Sequence, residues 1–192
     1  MIPGVILAAG SSVRLAHPKQ LLIWRGRPLL QHVIEAAAAS NLAELVVVLG
    51  HEAGRISDAL TLPEGVRLAY NPDYLSGQAS SLRVGLNALS DDAHAAAILL
   101  SDNPYISVEL IDRVLDEFDP SSAPVVRPTF GGVPGHPVVV ARRGWGRWMQ
   151  LEGDEGARSL LAGTDVRELP LDEVMFADVD TWDDYRALLG RD

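Results

Sequence analysis

Residues 5–19 read VILAAGSSVRLAHPK, an apolar run followed by small residues and then by Arg14 and Lys19. Val5, Ile6 and Leu7 form the short apolar run that is typical of a buried β-strand, and the small residues after them leave space for a ligand beside the backbone. In open α/β sheets, ligands bind just beyond the carboxyl ends of the strands. The stretch therefore predicts a buried strand that ends at a binding loop.

The rest of the chain repeats this alternation of apolar runs and helical patterns, without an internal repeat or a long linker. The predicted strands are 5–7, 45–49, 66–70, 96–100, 124–127 and 137–141, and the predicted helices are 29–39, 52–60, 78–89, 108–118 and 182–189. Alternating strands and helices favour a mostly parallel sheet covered on both faces. We therefore expect an α/β protein, a three-layer αβα sandwich that forms one domain.

The composition limits the classes of function. The chain has 192 residues, of which 47% are hydrophobic, enough to bury one sizeable core. The absence of cysteine excludes disulfides, thiolate metal sites and a cysteine nucleophile. A net charge of −10 opposes binding to nucleic acid, which needs clustered lysine and arginine. No signal-peptide pattern occurs and no apolar run approaches the roughly 20 residues of a membrane span, so we expect a cytoplasmic protein without a membrane partner.

The loop after the first strand has residues that suit a triphosphate. Ala8, Ala9 and Gly10 allow close approach to the backbone, whose N–H groups can meet phosphate oxygens. Arg14 and Lys19 add positive charge farther along the loop. An ordinary turn with solvent-facing cations is the alternative. The loop lacks both the Gly-x-Gly-x-x-Gly spacing of dinucleotide folds and the Gly-Lys-Ser/Thr ending of a P-loop, so those two motifs are absent.

Two aspartates that follow apolar runs are candidate metal ligands. Asp102 comes directly after a predicted strand near the centre of the sheet. If the stretch 177–179 ends a strand, alternation places Asp178 and Asp180 on the same side. Magnesium prefers such hard oxygen ligands and takes one or two carboxylates together with substrate phosphates. The alternatives are a turn at Asp102 and capping of the last helix by Asp180 or Thr181.

Two further segments are rich in small residues. Gly77, Ser80 and Ser81 open a predicted helix, whose N-terminus can hold an anion through its free N–H groups. Capping by either serine is the alternative. Gly85 inside this helix indicates close packing against a neighbouring element. The glycine-rich stretch 131–137 either lines a pocket or turns the chain, and its histidine is expected to form hydrogen bonds rather than to act as a general base.

Taken together and in this order, these segments resemble the molybdenum cofactor cytidylyltransferases, a branch of the sugar- and cofactor-nucleotidyltransferases. The resemblance spans nearly the whole chain, and its motifs are 7–22, 76–85, 100–104, 135–137, 153–158 and 178–181. It implies a single Rossmann-like nucleotidyltransferase domain over residues 1–192. The motifs at 135–137 and 153–158 look more like the cytidylyltransferase branch than the guanylyltransferase branch, which favours CTP over GTP.

The resemblance also implies roles for individual residues. Those that it places at the nucleotide are Leu7, Ala8, Ala9, Gly10, Arg14, Lys19, Gly77, Ser80, Ser81 and Asp102. Arg14, Lys19 and Asp102 are the implied catalytic residues, and Arg14 and Lys19 contact the triphosphate. Asp102 and Asp180 are implied to hold Mg²⁺. His136 and Pro137 are implied to contact the acceptor.

The implied reaction transfers CMP from CTP to the phosphate of the molybdenum cofactor, a phosphorylated pterin, and releases pyrophosphate. A molybdoenzyme is then a candidate partner. Three alternatives stay open: the same transfer to another acceptor such as a sugar 1-phosphate, a pterin-binding or insertion factor without turnover, and an oxidoreductase, which the fold alone does not exclude.

The sequence departs from the family pattern at two places. The usual Arg-Met-Gly reads Arg14-Leu15-Ala16. The usual glycine before the metal aspartate is Ser101, and the residue after that aspartate is Asn103, where many relatives have Gln or Met. Ala16 is costly if the loop requires a positive φ angle at this position. These departures are the support for a changed acceptor or a carrier without activity.

Overall fold

The computed structural model of the protein describes residues 1–151, 153, 163–172 and 178–190. The strands within these residues are β1 (Gly4–Ala8), β2 (Ile23–Trp24), β3 (Arg27–Pro28), β4 (Leu45–Leu49), β5 (Val66–Tyr70), β6 (Ala95–Leu100), β7 (Val125–Phe130), β8 (Val133–Pro134), β9 (Val138–Ala141) and β10 (Val166–Leu171). The α-helices are α1 (Leu29–Ala38), α2 (Ala53–Asp58), α3 (Gln78–Asn87), α4 (Val108–Asp116), α5 (Trp145–Trp148) and α6 (Trp182–Leu189).

The central sheet has the strand order β5-β4-β1-β6-β9-β7-β10, and β8 pairs with β7. β1 is parallel to both of its neighbours, and β10 is parallel to β7. β9 is antiparallel to β6 and β7. The prediction of a mostly parallel sheet is therefore confirmed. β1 and β4 are buried along their whole length, which explains why they read as continuous apolar runs.

Helices cover both faces of the sheet. One face, which carries Ile6 and Val47, packs against α1, α2 and α4. The opposite face, which carries Val5 and Val48, packs against α3 and α5. Successive residues of a strand point to opposite faces, so each apolar run contributes to two cores. The predicted three-layer arrangement is thus confirmed. No helix in the described part of the chain has the length and apolar character that crossing a membrane would require.

A third apolar cluster joins the loop after β1 to the last helix. This linking cluster consists of Leu15, Leu22, Trp24, Leu29, Val179 and Leu188. The hydroxyl of Tyr185 in α6 also donates a hydrogen bond to the carbonyl of Ile23 at 2.6 Å. The binding loop near the start of the chain is therefore packed directly against α6 and the segment before it.

Some elements differ from the sequence prediction. β7 ends at residue 130 rather than 127, because Gly131 and Gly132, with φ angles of 56° and 83°, form the turn of a hairpin with β8. The glycine-rich stretch therefore turns the chain. β10 has no clear alternating pattern, since it is a partly exposed edge strand that contains Pro170.

The condition that residues 177–179 end a strand is not met in the residues that the structure describes. Residues 178–180 belong to no strand, and residue 177 lies outside the described residues. Strand alternation therefore does not determine where the Asp180 side chain lies. Its position has to come from the local hydrogen bonds.

Helix α3 approaches the sheet closely at Gly85. A Cβ atom at this position would overlap the side chain of Val5 and would lie 3.1 Å from Cγ2 of Val48. Residue 85 therefore has to be glycine for the helix to lie at this distance from β1. The close packing predicted from the sequence is confirmed.

We expect Gly85→Ala to lower the free energy of unfolding by about 1 to 3 kcal/mol, because the added methyl group overpacks the core. Gly54 provides a matched control, since a Cβ atom there meets nothing within 4 Å. Gly54→Ala, inside α2, should raise stability by up to about 1 kcal/mol through helix propensity. Urea denaturation measures both variants, and equal effects would contradict the close approach at Gly85.

Candidate functional site

The loop after β1 is held in shape by two polar side chains. Gln20 is 1% exposed, and its Nε2 donates hydrogen bonds to the carbonyls of Ala8 at 2.8 Å and Gly10 at 3.2 Å. The hydroxyl of Ser12 accepts a hydrogen bond from the backbone N–H of Lys19 at 3.0 Å. These bonds fold the loop back on itself and bring Lys19 to the carboxyl end of β1.

Sequence reasoning assigned no role to Gln20. A buried glutamine here satisfies one carbonyl group at the end of β1 and one in the loop that follows it. The available signal was a single amide side chain between a predicted phosphate loop and the apolar pair Leu21-Leu22. That signal is too weak to separate an anchor from a solvent-exposed polar residue.

Lys19 joins two carboxylates that are far apart in the sequence. Its Nζ lies 2.5 Å from Oδ2 of Asp102 and 2.9 Å from Oδ1 of Asp180. Arg14 completes the cluster, with Nη2 lying 2.8 Å from Oδ2 of Asp180. We call Arg14, Lys19, Asp102 and Asp180 the charged cluster. The structure thus brings together four residues that the sequence analysis proposed for one site.

The charged cluster becomes more exposed from Asp102 outward. The side chains of Lys19 and Asp102 are 16% and 13% exposed, whereas those of Asp180 and Arg14 are 40% and 66% exposed. Burial disfavours the Lys19 ammonium, but Asp102 and Asp180 outweigh it and raise the pKa of Lys19 above its ordinary value. Burial likewise disfavours the Asp180 carboxylate, but hydrogen bonds and charge from Lys19 and Arg14 lower the pKa of Asp180. Lys19 and Asp180 are therefore both charged at neutral pH.

Asp102 has one carboxylate oxygen without a donor. Its Oδ1 is buried and accepts no hydrogen bond from the part of the chain that the structure describes. A buried carboxylate oxygen of this kind is costly unless a cation or another ligand meets it. The nearby Asp180 carboxylate offers a second hard oxygen donor. The pair fits a divalent cation whose remaining ligands are phosphate oxygens and water.

The residues described contain no group of three or more histidine, aspartate or glutamate side chains arranged to hold a metal ion. A dedicated protein cage is therefore not the kind of metal site that these residues form. The carboxylates of Asp102, after β6, and Asp180, before α6, instead suit magnesium or a similar hard cation that reaches the site together with a phosphorylated ligand.

A cleft of about 320 Å³ lies beside the charged cluster. Of the residues assigned to the nucleotide, those that line it are Leu7, Ala9, Gly10, Lys19, Gly77, Ser81 and Asp102. The lining residues without a prior assignment are Ser11, Gln20, Tyr74, Leu75, Gln78, Leu100 and Ser101. The cleft thus joins the loop after β1, the start of α3 and the end of β6 into one space.

Three assigned residues do not line this cleft. Ala8 is buried within β1, with its carbonyl bound by Gln20. Ser80 is buried, and its hydroxyl accepts a hydrogen bond from Nδ2 of Asn71 at 2.8 Å. Arg14 is exposed and reaches the site through its ion pair with Asp180.

The alternative that a serine caps α3 is wrong. Gly77 occupies the N-cap position, with φ of 106°, and no side chain caps the helix there. Ser80 and Ser81 lie in the first turn instead, where Nδ2 of Asn71 donates to both hydroxyls. The N-terminus of α3 therefore has no capping side chain, and Asn71 holds its first turn through the two serine hydroxyls.

The alternatives for the two aspartates are borne out in part: Asp102 lies in a turn, and Thr181 caps the last helix. Neither aspartate is itself a helix cap. α4 is capped by the side chain of Ser107, not by Asp102. α6 is capped by Thr181 in a capping box with Asp184, so Asp180 is not the cap. The Asp102 and Asp180 side chains form the charged cluster instead.

The predicted acceptor residues lie elsewhere. His136 and Pro137 are joined by a cis peptide bond, and Nδ1 of His136 lies 3.3 Å from the carbonyl of Ile98 in β6. Neither residue lines the cleft beside the charged cluster. Of the 153–158 motif, only Gly153 is among the described residues, and its carbonyl accepts a hydrogen bond from the N–H of Ala79 at 3.2 Å.

The structure shows how the chain accommodates its two departures from the family pattern, at Ala16 and Ser101. Ala16 has a φ angle of 49°, so the loop does adopt a positive φ angle at the position where relatives have glycine. Ser101 is 3% exposed and lines the cleft, and its N–H donates a hydrogen bond to the carbonyl of Leu7 at 3.2 Å. Both substitutions are accommodated, and Ala16 carries backbone strain.

The fold and the binding loop together define an α/β nucleotidyltransferase. A sequence profile of the MobA-like NTP transferase domain matches residues 4–171. The chain belongs to this family.

The chain is similar to proteins with different names. The chain is 32% identical to nicotine blue oxidoreductase of Paenarthrobacter nicotinovorans, over 83% of this chain and 81% of that protein. It is 38% identical to the bifunctional protein GlmU of Burkholderia orbicola strain MC0-3, over 58% of this chain and 24% of that much longer protein.

Two solved structures share the fold. Rv0371c from Mycobacterium tuberculosis H37Rv, in complex with manganese, superposes with a TM-score of 0.85 at 32% identity and covers 98% of both chains. Molybdopterin-guanine dinucleotide biosynthesis protein A from Archaeoglobus fulgidus superposes with a TM-score of 0.77 at 15% identity and covers 99% of this chain and 98% of that one. The second likeness shows the fold alone.

We expect Ala16→Gly to raise the free energy of unfolding by roughly 0.5 to 1 kcal/mol, because the φ angle of Ala16 is positive. Glycine relieves this left-handed strain, and the relief outweighs the extra freedom that glycine gives the unfolded chain. Ala187→Gly, in the exposed part of α6, should lower it by about 1 kcal/mol. Chemical denaturation compares the two variants, and a loss of stability in both would contradict strain at Ala16.

Proposed function

We propose that this chain transfers a nucleoside monophosphate, CMP from CTP, to the phosphate of the molybdenum cofactor and releases pyrophosphate. One observation carries the proposal: the charged cluster lies beside a cleft at the carboxyl ends of β1 and β6, where the loop after β1 contributes the small residues Ala9 and Gly10. This is where open α/β sheets bind their ligands. Membership of the MobA-like family supports the use of a nucleoside triphosphate.

In this proposal the nucleotide lies along the loop after β1. Gly10 leaves open space, since a Cβ atom there would meet nothing within 4 Å. The start of α3 at Gly77 and Ser81 forms the facing wall of the cleft. Helix N-termini and small-residue loops both present N–H groups to anions.

Lys19 and Arg14 contact the triphosphate. Lys19 has three N–H donors, and two of them already meet carboxylates, so its charge is fixed at the edge of the cleft. Arg14 is largely exposed and is free to follow a phosphate while it stays near Asp180. The two cations stabilise the charge that develops on the leaving pyrophosphate.

Asp102 and Asp180 are the residues that would hold Mg²⁺. The Oδ1 of Asp102 supports this assignment, because it is buried and receives no hydrogen bond from any described residue. The proximity of the two carboxylates, which both contact Lys19, supports it as well. When bound, the metal ion neutralises phosphate charge and helps to align the reacting groups. The similarity to a protein that was crystallised with manganese supports a divalent cation at this kind of site.

The reaction is an in-line attack by an acceptor phosphate oxygen on the α-phosphorus of the nucleotide. A bond forms between that oxygen and phosphorus, and the bond to the β-phosphate oxygen breaks. The acceptor phosphate is already ionised at neutral pH, so no general base is needed. Positioning and electrostatic stabilisation by the chain's own residues therefore account for the chemistry.

The proposed acceptor is the molybdenum cofactor, and a sugar 1-phosphate is the second candidate. The motif resemblance supports the molybdenum cofactor, with His136 and Pro137 at the acceptor, a cytoplasmic location and a molybdoenzyme as partner. The similarity to a GlmU protein over part of its length supports the sugar 1-phosphate. The absence of a Gly-x-Gly-x-x-Gly loop weighs against a dinucleotide-dependent oxidoreductase, despite the similarity to nicotine blue oxidoreductase.

The test is pyrophosphate release by the purified protein with Mg²⁺ and CTP, GTP, ATP or UTP, each supplied with molybdenum cofactor or with a panel of sugar 1-phosphates. We expect release that requires both CTP and the cofactor. Release with a sugar phosphate instead would replace the acceptor, and no release with any pair would overturn the proposed transfer.

We expect Asp102→Asn to lower kcat by about 100-fold or more, because it removes a charged ligand of the proposed metal site. Asp116→Asn makes the same change of charge at an exposed position at the end of α4 and should leave turnover unchanged. Circular dichroism confirms that both variants are folded. Near-normal turnover of Asp102→Asn would remove Asp102 from the mechanism.

A further inference from the structure

The segment that carries Asp180 is held by its backbone on both sides. The N–H of Val179 donates a hydrogen bond to the carbonyl of Asp102 at 3.1 Å. The N–H groups of Asp180 and Thr181 both donate to Oδ2 of Asp184, at 3.1 Å and 2.7 Å. Three successive N–H groups are thus fixed, although these residues belong to no strand.

Part of this arrangement is ordinary helix capping. The hydroxyl of Thr181 accepts a hydrogen bond from the N–H of Asp184 at 3.2 Å, and the Asp184 side chain accepts one from the N–H of Thr181. These two bonds form the capping box of α6. The capping box does not require the additional bond from the N–H of Asp180, which lies one residue before the cap.

The additional bond acts on a residue that needs to be oriented. The Asp180 side chain is 40% exposed and reaches Lys19 and Arg14 with different oxygens. Val179, immediately before it, is 1% exposed within the linking cluster. Burial of Val179 fixes the chain before Asp180. The Asp184 carboxylate fixes the N–H groups of Asp180 and Thr181.

We propose that Asp184 is a positioning residue, which fixes the backbone of Asp180 so that the Asp180 carboxylate stays beside Asp102 for a divalent cation. The inference rests on the proposed function, because it requires Asp180 to bind a metal ion. Groups that hold metal ligands through hydrogen bonds typically contribute about 10- to 100-fold to metal affinity. Asp184 should therefore affect metal binding beyond its effect on the stability of α6.

The test is the affinity of the purified protein for Mn²⁺ in the presence of CTP, measured by electron paramagnetic resonance, together with thermal unfolding of each variant. Asp184→Ala removes every bond to the carboxylate. Asp184→Asn retains an acceptor oxygen for the N–H of Asp180. Thr181→Ala breaks the capping box but leaves that bond in place. Asp183→Ala is the control for charge, since the Asp183 side chain is 90% exposed and pairs with Arg186.

We expect Asp184→Ala to weaken Mn²⁺ binding by about tenfold and Asp184→Asn to restore most of the loss. Thr181→Ala should lower the unfolding temperature as Asp184→Ala does, with Mn²⁺ affinity close to that of the unaltered protein. Asp183→Ala should leave the affinity unchanged.

Equal losses of affinity in Thr181→Ala and Asp184→Ala would reduce Asp184 to a helix cap and overturn the inference. Unchanged affinity in Asp184→Ala would overturn it as well. Failure of the unaltered protein to bind Mn²⁺ is a separate result, since it would overturn the metal site of the proposed function. The two failures are thus distinguishable.

Discussion

The ammonium group of Lys19 between the carboxylates of Asp102 and Asp180 is the interaction on which the site depends. Two carboxylates at such proximity repel each other unless a cation lies between them. Lys19 supplies that cation and remains charged, because the two carboxylates outweigh the effect of its burial. Lys19 therefore holds the two carboxylates close together at the edge of the cleft.

This arrangement is possible because the sheet and the linking cluster fix three distant segments. β1 and β6 are neighbours in the sheet, so the residues after them emerge at the same edge. The linking cluster packs the loop after β1 against Val179 and α6. Gln20 holds the loop itself by binding the carbonyls of Ala8 and Gly10. Packing thus places the segments that carry the charged groups beside the cleft, and hydrogen bonds fix the position of each segment.

The buried part of the fold was predictable because strands covered on both faces read as apolar runs, as in β1 and β4. The edge strand β10 was not predictable, because its half-exposed residues and Pro170 do not form an alternating pattern of apolar and polar residues. Asp102 and Lys19 followed from their positions after a strand. The role of Gln20 did not follow, because it depends on hydrogen bonds to distant carbonyl groups that no local pattern indicates. Thr181 and Asp184 have the spacing of a capping box, but that spacing does not indicate the additional bond from the N–H of Asp180.

The most direct measurement of the central claim follows the α-phosphorus of the nucleotide. Purified protein is incubated with Mg²⁺, molybdenum cofactor and CTP labelled at either the α- or the γ-phosphate. Nucleotidyl transfer predicts that the α-label appears in the cofactor product and the γ-label in pyrophosphate. Transfer of the γ-label to the cofactor, or absence of label from every product, would contradict the account.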